Sequence, residues 1–221
     1  MIKDISVVLL GAGKSKRFDT NTLKQNVKIH DKRVIDYSVD FFRKHFNASK
    51  KYFVINKKIQ LKTLTENEHI LYGSTSRLKS LNNCLNYISR NNLETKYCLV
   101  HDVARPVLNL ADIKKIIREI HKKVDGSTLG YPLTNAVKEV KNNTIYYNIH
   151  KSNLWSTFTP QIFKMEKLYQ SIKACLDEKY DVDDDIEALL LNSLKCSMIM
   201  SSPTNIKVTY KSDINYIKKL L

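Results

Sequence analysis

Residues 5–18 read ISVVLLGAGKSKRF, and this stretch decides the fold class. Ile5–Leu10 is a run of β-branched and aliphatic residues that ends at Gly11, which is typical of a strand buried on both faces. The small residues that follow favour a tight turn, where backbone amides and nearby cations can meet phosphate groups. We therefore expect a buried first strand that leads into an anion-binding turn.

Single positions exclude two common phosphate-binding motifs in this turn. A P-loop needs a glycine five residues before Gly13, where Val8 stands, and a dinucleotide fingerprint needs a glycine at Lys16. Cations on or soon after the turn would neutralise a triphosphate, namely Lys14, Lys16, Arg17 and Lys24. The alternative is an ordinary strand-to-helix turn with solvated lysines.

Short apolar runs alternate with longer amphipathic ones, which indicates an α/β fold. We expect a Rossmann-like, mainly parallel sheet with helices on both faces. Further strands are predicted at Tyr52–Ile55, Ile70–Tyr72, Tyr97–Val100, Cys196–Met200 and Ile206–Thr209. Helices are predicted at Ile35–Phe46, Ser76–Ser89, Ala111–Lys123, Lys164–Cys175, Asp184–Leu191 and from Ser212 onward.

The pattern changes between Ser127 and Ile149, where short strands are joined by polar turns. Strands are predicted at Thr128–Tyr131, Val137–Val140 and Ile145–Ile149, with Asn142-Asn143 as a hairpin turn. This stretch is expected to leave the main sheet as a β-arm, at about residues 132–155. Residues 1–221 otherwise show no repeat or linker, so we expect a single domain without a second enzyme domain.

Composition excludes several classes of protein. A chain of 221 residues with 43% hydrophobic and 27% charged residues is typical of a globular protein. No apolar run approaches the roughly 20 residues of a membrane helix. No signal peptide is evident, and the four cysteines are scattered without a C-x-x-C pair. A cytoplasmic protein with reduced cysteines is expected.

The net charge of +15 suggests a polyanionic partner, either nucleic acid or a phosphate-rich small molecule. The alternative is the general abundance of lysine, asparagine and isoleucine that an AT-rich genome produces. A nucleic-acid binder would cluster its cations on one element with interleaved aromatic residues, whereas the lysines here are spread along the whole chain.

A second constellation, VHDVARP at residues 100–106, lies at the carboxyl end of a predicted buried strand, and a loop is predicted at His101–Pro106. Ligands of open α/β sheets collect at the carboxyl ends of strands. Asp102 is there a natural Mg²⁺ ligand, and Arg105 is able to bind a phosphate through its guanidinium. The alternatives are a loop cap for Asp102 and a surface ion pair for Arg105. His101 is interpreted as a structural residue.

Two later segments complete a pattern. They are LWSTFTPQ at residues 154–161 and NIKVT at residues 205–209. Together the four segments resemble the 2-C-methyl-D-erythritol 4-phosphate cytidylyltransferases and the related ribitol-phosphate cytidylyltransferases. The matching residues are Gly11–Arg17 with Lys24-Gln25, Gly73 through Arg77 to Ser80, His101–Pro106, Thr159–Gln161 and Asn205–Thr209. Their order and spacing hold over essentially the whole chain.

The resemblance implies that a sugar or polyol phosphate attacks the α-phosphorus of CTP and expels pyrophosphate. It implies catalytic roles for Arg17, Lys24 and Lys207, and an Mg²⁺ ion held by Asp102. CTP would be bound by Gly11, Ala12, Gly13, Gly73, Arg77 and Ser80, and the acceptor by Arg105, Lys151 and Thr159. It also implies a homodimer built through the β-arm, with Lys151 acting across the interface.

Two departures from the family pattern lie on the acceptor side. Ala136 stands where the family has a threonine, and Lys151 where it has an arginine, which exchanges a planar fork for a point charge. The preferred acceptor is methylerythritol 4-phosphate; ribitol 5-phosphate, another polyol or sugar phosphate, and an inactive relative remain alternatives. The acidic run 181–185 is either a helix cap or a metal site.

Overall fold

The computed structural model describes residues 4–15, 17–62, 64–93 and 95–221. The strands are β1 (Ile5–Gly11), β2 (Lys28–Ile29), β3 (Lys32–Arg33), β4 (Lys51–Ile55), β5 (Glu68–Tyr72), β6 (Tyr97–Asp102), β7 (Gly126–Pro132), β8 (Val137–Lys141), β9 (Thr144–Ile149), β10 (Trp155–Lys164) and β11 (Cys196–Met200). The helices are α1 (Val34–His45), α2 (Arg77–Arg90), α3 (Leu110–Glu119), α4 (Met165–Asp177), α5 (Asp185–Leu191) and α6 (Asp213–Lys218). A short 3-10 helix covers Lys24–Asn26.

Within the described part of the chain, seven strands form the main sheet in the order β11-β7-β10-β6-β1-β4-β5. β1 runs parallel to both β4 and β6, while β10 is antiparallel to its neighbours β6 and β7. The prediction of a mainly parallel sheet is confirmed. β10 was not predicted as a strand, because Pro160 interrupts it and proline is disfavoured inside a sheet. The structure accommodates Pro160 at a register shift between Phe158 and Gln161.

Alternate side chains of β1 enter two apolar clusters on opposite faces of the sheet. Ile5, Val7 and Leu9 pack with residues of α1 and α3 on one face. Val8 and Leu10 pack with residues of α2, α4 and α5 on the other. The unbroken apolar run of β1 is explained by this burial on both sides, and helices on both faces are confirmed.

The β-arm consists of β8 and β9, which pair with each other outside the main sheet. Asn142 and Asn143 join them with φ values of 49° and 61°, as the predicted hairpin turn requires. The prediction that Thr128–Tyr131 belongs to this excursion is wrong. Those residues lie in β7, between β10 and β11, and the chain leaves the main sheet only after Pro132, which pairs with Trp155 on the return.

Three smaller predictions also need correction. Residues 206–209 form an extended loop, in which the Val208 amide donates to the Ala104 carbonyl (2.8 Å) but no ladder is made. His101 and Asp102 end strand β6 and do not belong to a loop, and α3 stops at Glu119. Among the described helices, none is long and apolar enough to cross a membrane.

Candidate active site

A cleft of about 290 Å³ opens at the carboxyl ends of β1 and β6. The turn after β1, the loop before α2, the end of β6 and the loop 206–209 line it. The structure brings eight predicted site residues to this cleft: Ala12, Gly13, Arg17, Lys24, Arg77, Ser80, Asp102 and Lys207. This is the position at which open α/β sheets bind ligands.

Gln25 braces the turn after β1. Its side chain is buried, and Nε2 donates to the carbonyls of Gly11 (2.9 Å) and Gly13 (3.1 Å). The Ser15 hydroxyl donates to Gln25 Oε1 (3.3 Å) and accepts from the Lys24 amide (3.0 Å). These bonds fix the turn against the short helix that carries Lys24. The sequence pattern contained Gln25 but gave no sign of this bracing role.

Gly11 and Gly73, predicted to bind CTP, are not in the cleft wall. A Cβ on Gly11 would lie 3.0 Å from Val103 Cγ2, and one on Gly73 would lie 2.0 Å from the Cβ of Ala12. Both glycines therefore permit close packing behind the cleft. Ser80 lines the cleft and also shapes it, since its hydroxyl donates to the Ser76 carbonyl (2.7 Å).

Gly73→Ala is expected to destabilise the protein by about 1–3 kcal/mol, because the new methyl group overlaps Ala12 and forces the turn to shift. Thermal unfolding measures the loss of stability. Gly13→Ala is the control for stability, since its Cβ meets only Gln25 Nε2 at 3.8 Å. Equal melting temperatures for the two variants would contradict the packing argument.

Asp102 forms the floor of the cleft and is held from two sides. Arg77 Nε donates to Oδ1 (3.1 Å) and Lys207 Nζ donates to Oδ2 (2.6 Å). Burial alone would raise the pKa of this carboxyl group, but the charges of Arg77 and Lys207 lower its pKa well below the usual range. Asp102 therefore stays ionised at any physiological pH.

Arg77 faces two carboxylates. Its Nη1 and Nη2 donate to the two oxygens of Asp185 (2.6 and 2.8 Å), and its Nε reaches Asp102. Three of the Arg77 donors are directed at protein carboxylates. This geometry does not favour the predicted role of Arg77 as a direct CTP ligand. The sequence did not indicate Asp185 as its partner, since the pair is separated by 108 residues.

Lys24 is a second cation in the cleft. Its Nζ donates to the Val208 carbonyl (2.5 Å). Burial, together with the positive charge of Lys207, lowers the pKa of Lys24 to about 8. Arg17 is exposed at the mouth of the cleft. The predicted catalytic cations thus surround one cleft, at three different points of its wall.

The catalytic role that the family pattern implies for Lys24, together with its lowered pKa, predicts a reaction rate that depends on pH. Lys24 is fully charged below its pKa of about 8 and becomes neutral as the pH rises through that value. We expect kcat/KM for CTP to fall on the alkaline side of about pH 8, because this parameter reports the free enzyme. Lys24→Arg keeps its charge and should move the descent to higher pH. A wild-type profile that stays flat from about pH 7 to about pH 9 would contradict the assignment.

The three predicted acceptor residues lie outside the cleft wall. Arg105 Nη1 donates to the Asn205 carbonyl (2.7 Å), and Lys151 Nζ donates to the Thr134 carbonyl at the base of the arm. Thr159 is 4% exposed, and its hydroxyl accepts from the Asp102 amide (3.0 Å). Thr159 is therefore placed to support Asp102, and the structure does not present it to a ligand.

The structure favours structural roles for His101 and for the acidic run 181–185. Burial lowers the pKa of His101 to about 3, so the ring is neutral, with Nδ1 3.2 Å from the Thr159 hydroxyl and Nε2 near Ser38 and the Arg105 carbonyl. Asp184 caps α5 by accepting from the Glu187 amide (2.9 Å). In the described ranges no group of three or more His, Cys, Asp or Glu side chains is arranged to hold a metal.

Asp102 is the carboxylate in the cleft that suits a divalent cation. Mg²⁺ commonly uses one or two carboxylates and completes its shell with water and substrate phosphates. The ionised Asp102 carboxylate in the cleft wall supplies the protein ligand in this arrangement. The residues present therefore fit an Mg²⁺ ion that arrives with a phosphate-bearing substrate.

Nucleotidyl transfer requires little covalent chemistry from a protein. It depends mainly on positioning of the reactants and on neutralisation of their charge. The fold and its cleft supply both, and they define the nucleotidyltransferase class. The family model described as "IspD: 2-C-methyl-D-erythritol 4-phosphate cytidylyltransferase" matches residues 5–221. The chain belongs to this family, and it is a CTP-dependent cytidylyltransferase of isoprenoid biosynthesis.

Individual relatives agree with this assignment. The chain is 29% identical over 218 residues to the 2-C-methyl-D-erythritol 4-phosphate cytidylyltransferase of Wigglesworthia glossinidia brevipalpis, covering 96% of this chain and 93% of the relative. It is 26% identical to the enzyme of that name from Buchnera aphidicola, covering 95% and 90%. The crystal structure of the Francisella tularensis enzyme shares the fold, with a TM-score of 0.86 at 23% identity over 99% and 100% of the two chains.

Proposed function

We propose that CTP binds in the cleft at the ends of β1 and β6, with its triphosphate between the turn after β1 and Lys207. The observation that carries this proposal is that one cleft brings together the Asp102 carboxylate, which accepts from Lys207, and the side chain of Lys24. An oxygen of the methylerythritol phosphate attacks the α-phosphorus of CTP in line. The bond to the β-phosphate breaks, and pyrophosphate leaves with the electron pair.

Each cation has a part in this step. Arg17, Lys24 and Lys207 lie around the cleft and stabilise the negative charge that grows on the α-phosphate and on the leaving group. The turn at Ala12 and Gly13 lets the nucleotide approach the backbone, and Ser80 holds the loop that closes the opposite wall. Preorganisation by Gln25 keeps the turn from reorganising during the reaction.

We propose Asp102 as the ligand of Mg²⁺. When bound, the ion neutralises charge on the triphosphate oxygens. Two contacts hold Asp102 in place. The Thr159 hydroxyl accepts from the Asp102 backbone amide, and Lys207 Nζ donates to Oδ2 of the carboxylate. Lys207 remains close enough to exchange this contact for a phosphate oxygen.

We further propose a homodimer formed through the β-arm, with Lys151 near the partner's acceptor site. The arm carries exposed large apolar side chains, which a partner would cover: Val140, Ile145, Tyr146 and Tyr147. We also propose that Arg105 binds the acceptor phosphate, because it lies beside the cleft. Analytical ultracentrifugation tests the dimer, and a monomer with full activity would refute it.

We assign the enzyme to the cytoplasm, with CTP and a phosphorylated polyol as its partners and no nucleic acid or membrane. Its described cysteines are free, and three of them are buried, which suits a reducing compartment. Cell fractionation tests the location, and recovery in a membrane or secreted fraction would refute it.

The acceptor assignment is tested by pyrophosphate release from CTP and Mg²⁺ with a panel of acceptors. Methylerythritol 4-phosphate is expected to give the largest kcat/KM, despite Ala136 and Lys151 on the acceptor side. Preference for ribitol 5-phosphate or glycerol 3-phosphate would keep the chemistry and overturn the acceptor. Binding of CTP without turnover on any acceptor would favour an inactive relative.

A further inference from the structure

Asp185 is a buried carboxylate that the capping of its own helix does not explain. Its side chain is 0% exposed, and it is the first residue of the short helix α5. Asp184, one residue earlier, already caps α5 by accepting from the Glu187 amide. Burying a charge costs stability unless it is well paired, so a buried pair of this kind is a weak source of stability. Its position calls for another explanation.

The pairing of Asp185 controls the direction of the Arg77 guanidinium. Both terminal nitrogens of Arg77 are taken by the two Asp185 oxygens, at 2.6 and 2.8 Å. Asp102 receives only Nε, on one oxygen and at 3.1 Å. Bidentate arginine–carboxylate contacts are the stronger geometry. Arg77 therefore makes its strong contact with Asp185 and its weak contact with the carboxylate of the cleft.

Ion pairs link the charged side chains of this group. Asp102 and Asp185 are paired with Arg77 and Lys207, two anions with two cations, and Lys24 and Arg105 add positive charge near Asp102. Loss of the Asp185 charge would increase the net positive charge beside Asp102 and weaken the hold on the two terminal nitrogens of Arg77, so that the guanidinium could turn toward the Asp102 carboxylate. A carboxylate paired in this way is a poor ligand for a divalent cation, and the added positive charge repels the cation directly.

We propose that Asp185 is a positioning residue for cytidylyl transfer: it keeps Arg77 from pairing fully with Asp102, and so keeps Asp102 available to a divalent cation. This inference rests on the proposed role of Asp102 as the Mg²⁺ ligand. Arg77 then supports the cleft wall as a restrained side chain, and Asp185, which lies outside the cleft wall, acts through it.

The test is the ratio of the CTP dissociation constants without and with Mg²⁺, measured by calorimetry, which needs no turnover. Asp185→Asn is expected to lower this ratio at least tenfold relative to the wild type. Asp184→Asn is the matched control: it removes the same charge one residue away, and asparagine still caps a helix. It should leave the ratio unchanged. Arg77→Met/Asp185→Leu removes the pair and its charges together, and is expected to restore the ratio to within about threefold.

A merely structural Asp185 would behave differently. Asp185→Asn would then lower the melting temperature and change both dissociation constants alike, leaving their ratio at the wild-type value, and that result overturns the inference. If Asp185→Asn does not fold, Arg77→Lys/Asp185→Asn replaces it, since an unrestrained ammonium group also neutralises Asp102. The same tenfold fall is expected, and a wild-type ratio refutes the inference. A ratio of one in the wild type would instead overturn the magnesium assignment itself.

Discussion

Asp102→Asn is expected to lower kcat by about 1,000-fold, because a metal ion contributes several kcal/mol of transition-state stabilisation and Asp102 is its proposed ligand. The variant keeps the size of the side chain and loses its charge. It also leaves Arg77 and Lys207 without their shared anion, so a drop in thermal stability accompanies the loss of activity. Steady-state kinetics at saturating Mg²⁺ and CTP measures the effect.

The matched control is Asp125→Asn. Asp125 is also paired with a lysine, at 2.9 Å from Lys164 Nζ. It directly precedes the amino end of β7, whereas the cleft lies at the carboxyl ends of the parallel strands. It should keep kcat within about twofold of the wild type, because surface ion pairs contribute little. If Asp102→Asn retains more than a tenth of wild-type kcat, Asp102 does not carry the metal.

Lys24→Met is expected to lower kcat/KM for CTP by about 100- to 1,000-fold, the usual cost of removing one preorganised group that stabilises developing charge. Methionine keeps an unbranched side chain that is one atom shorter, and it removes the charge and the contact with the Val208 carbonyl. Since burial already disfavours the charged lysine, the variant should be at least as stable as the wild type. Loss of activity with unchanged stability separates a catalytic role from a structural one.

Lys28→Met is the control for Lys24, because Lys28 lies four residues further on and is exposed in β2, away from the cleft. Its kinetics should match the wild type. Comparable losses in the two variants would show that net charge of the whole protein, and not Lys24, controls CTP binding.

The sequence predicted those parts of the fold that local periodicity determines. The apolar run of β1 and the helical stripe that becomes α1 have only one regular conformation that buries them. β10 was not predicted, because Pro160 disfavours a strand. The pairing of β10 with β6 and β7 outweighs this local preference in the folded sheet. Apolar and polar side chains alternate over residues 206–209 as in a strand, yet these residues form a loop that does not pair with the sheet.

The site was predicted as far as its residues form short motifs. Lys24, Asp102 and Lys207 meet in the cleft as the motifs suggested. The roles of Gln25 and Asp185 lie beyond the sequence, because each depends on contacts between segments brought together only by folding. Thr159 was assigned to the acceptor, but burial under Asp102 gives it a supporting contact instead.

The most direct test of the account is whether methylerythritol 4-phosphate causes pyrophosphate to leave CTP on this enzyme. With Mg²⁺ present, phosphorus NMR is expected to show equal amounts of pyrophosphate and the cytidine-diphosphate-linked product, and neither should form when the acceptor or the metal is omitted. CTP that remains intact, while calorimetry shows that the folded enzyme binds it, would contradict the central claim.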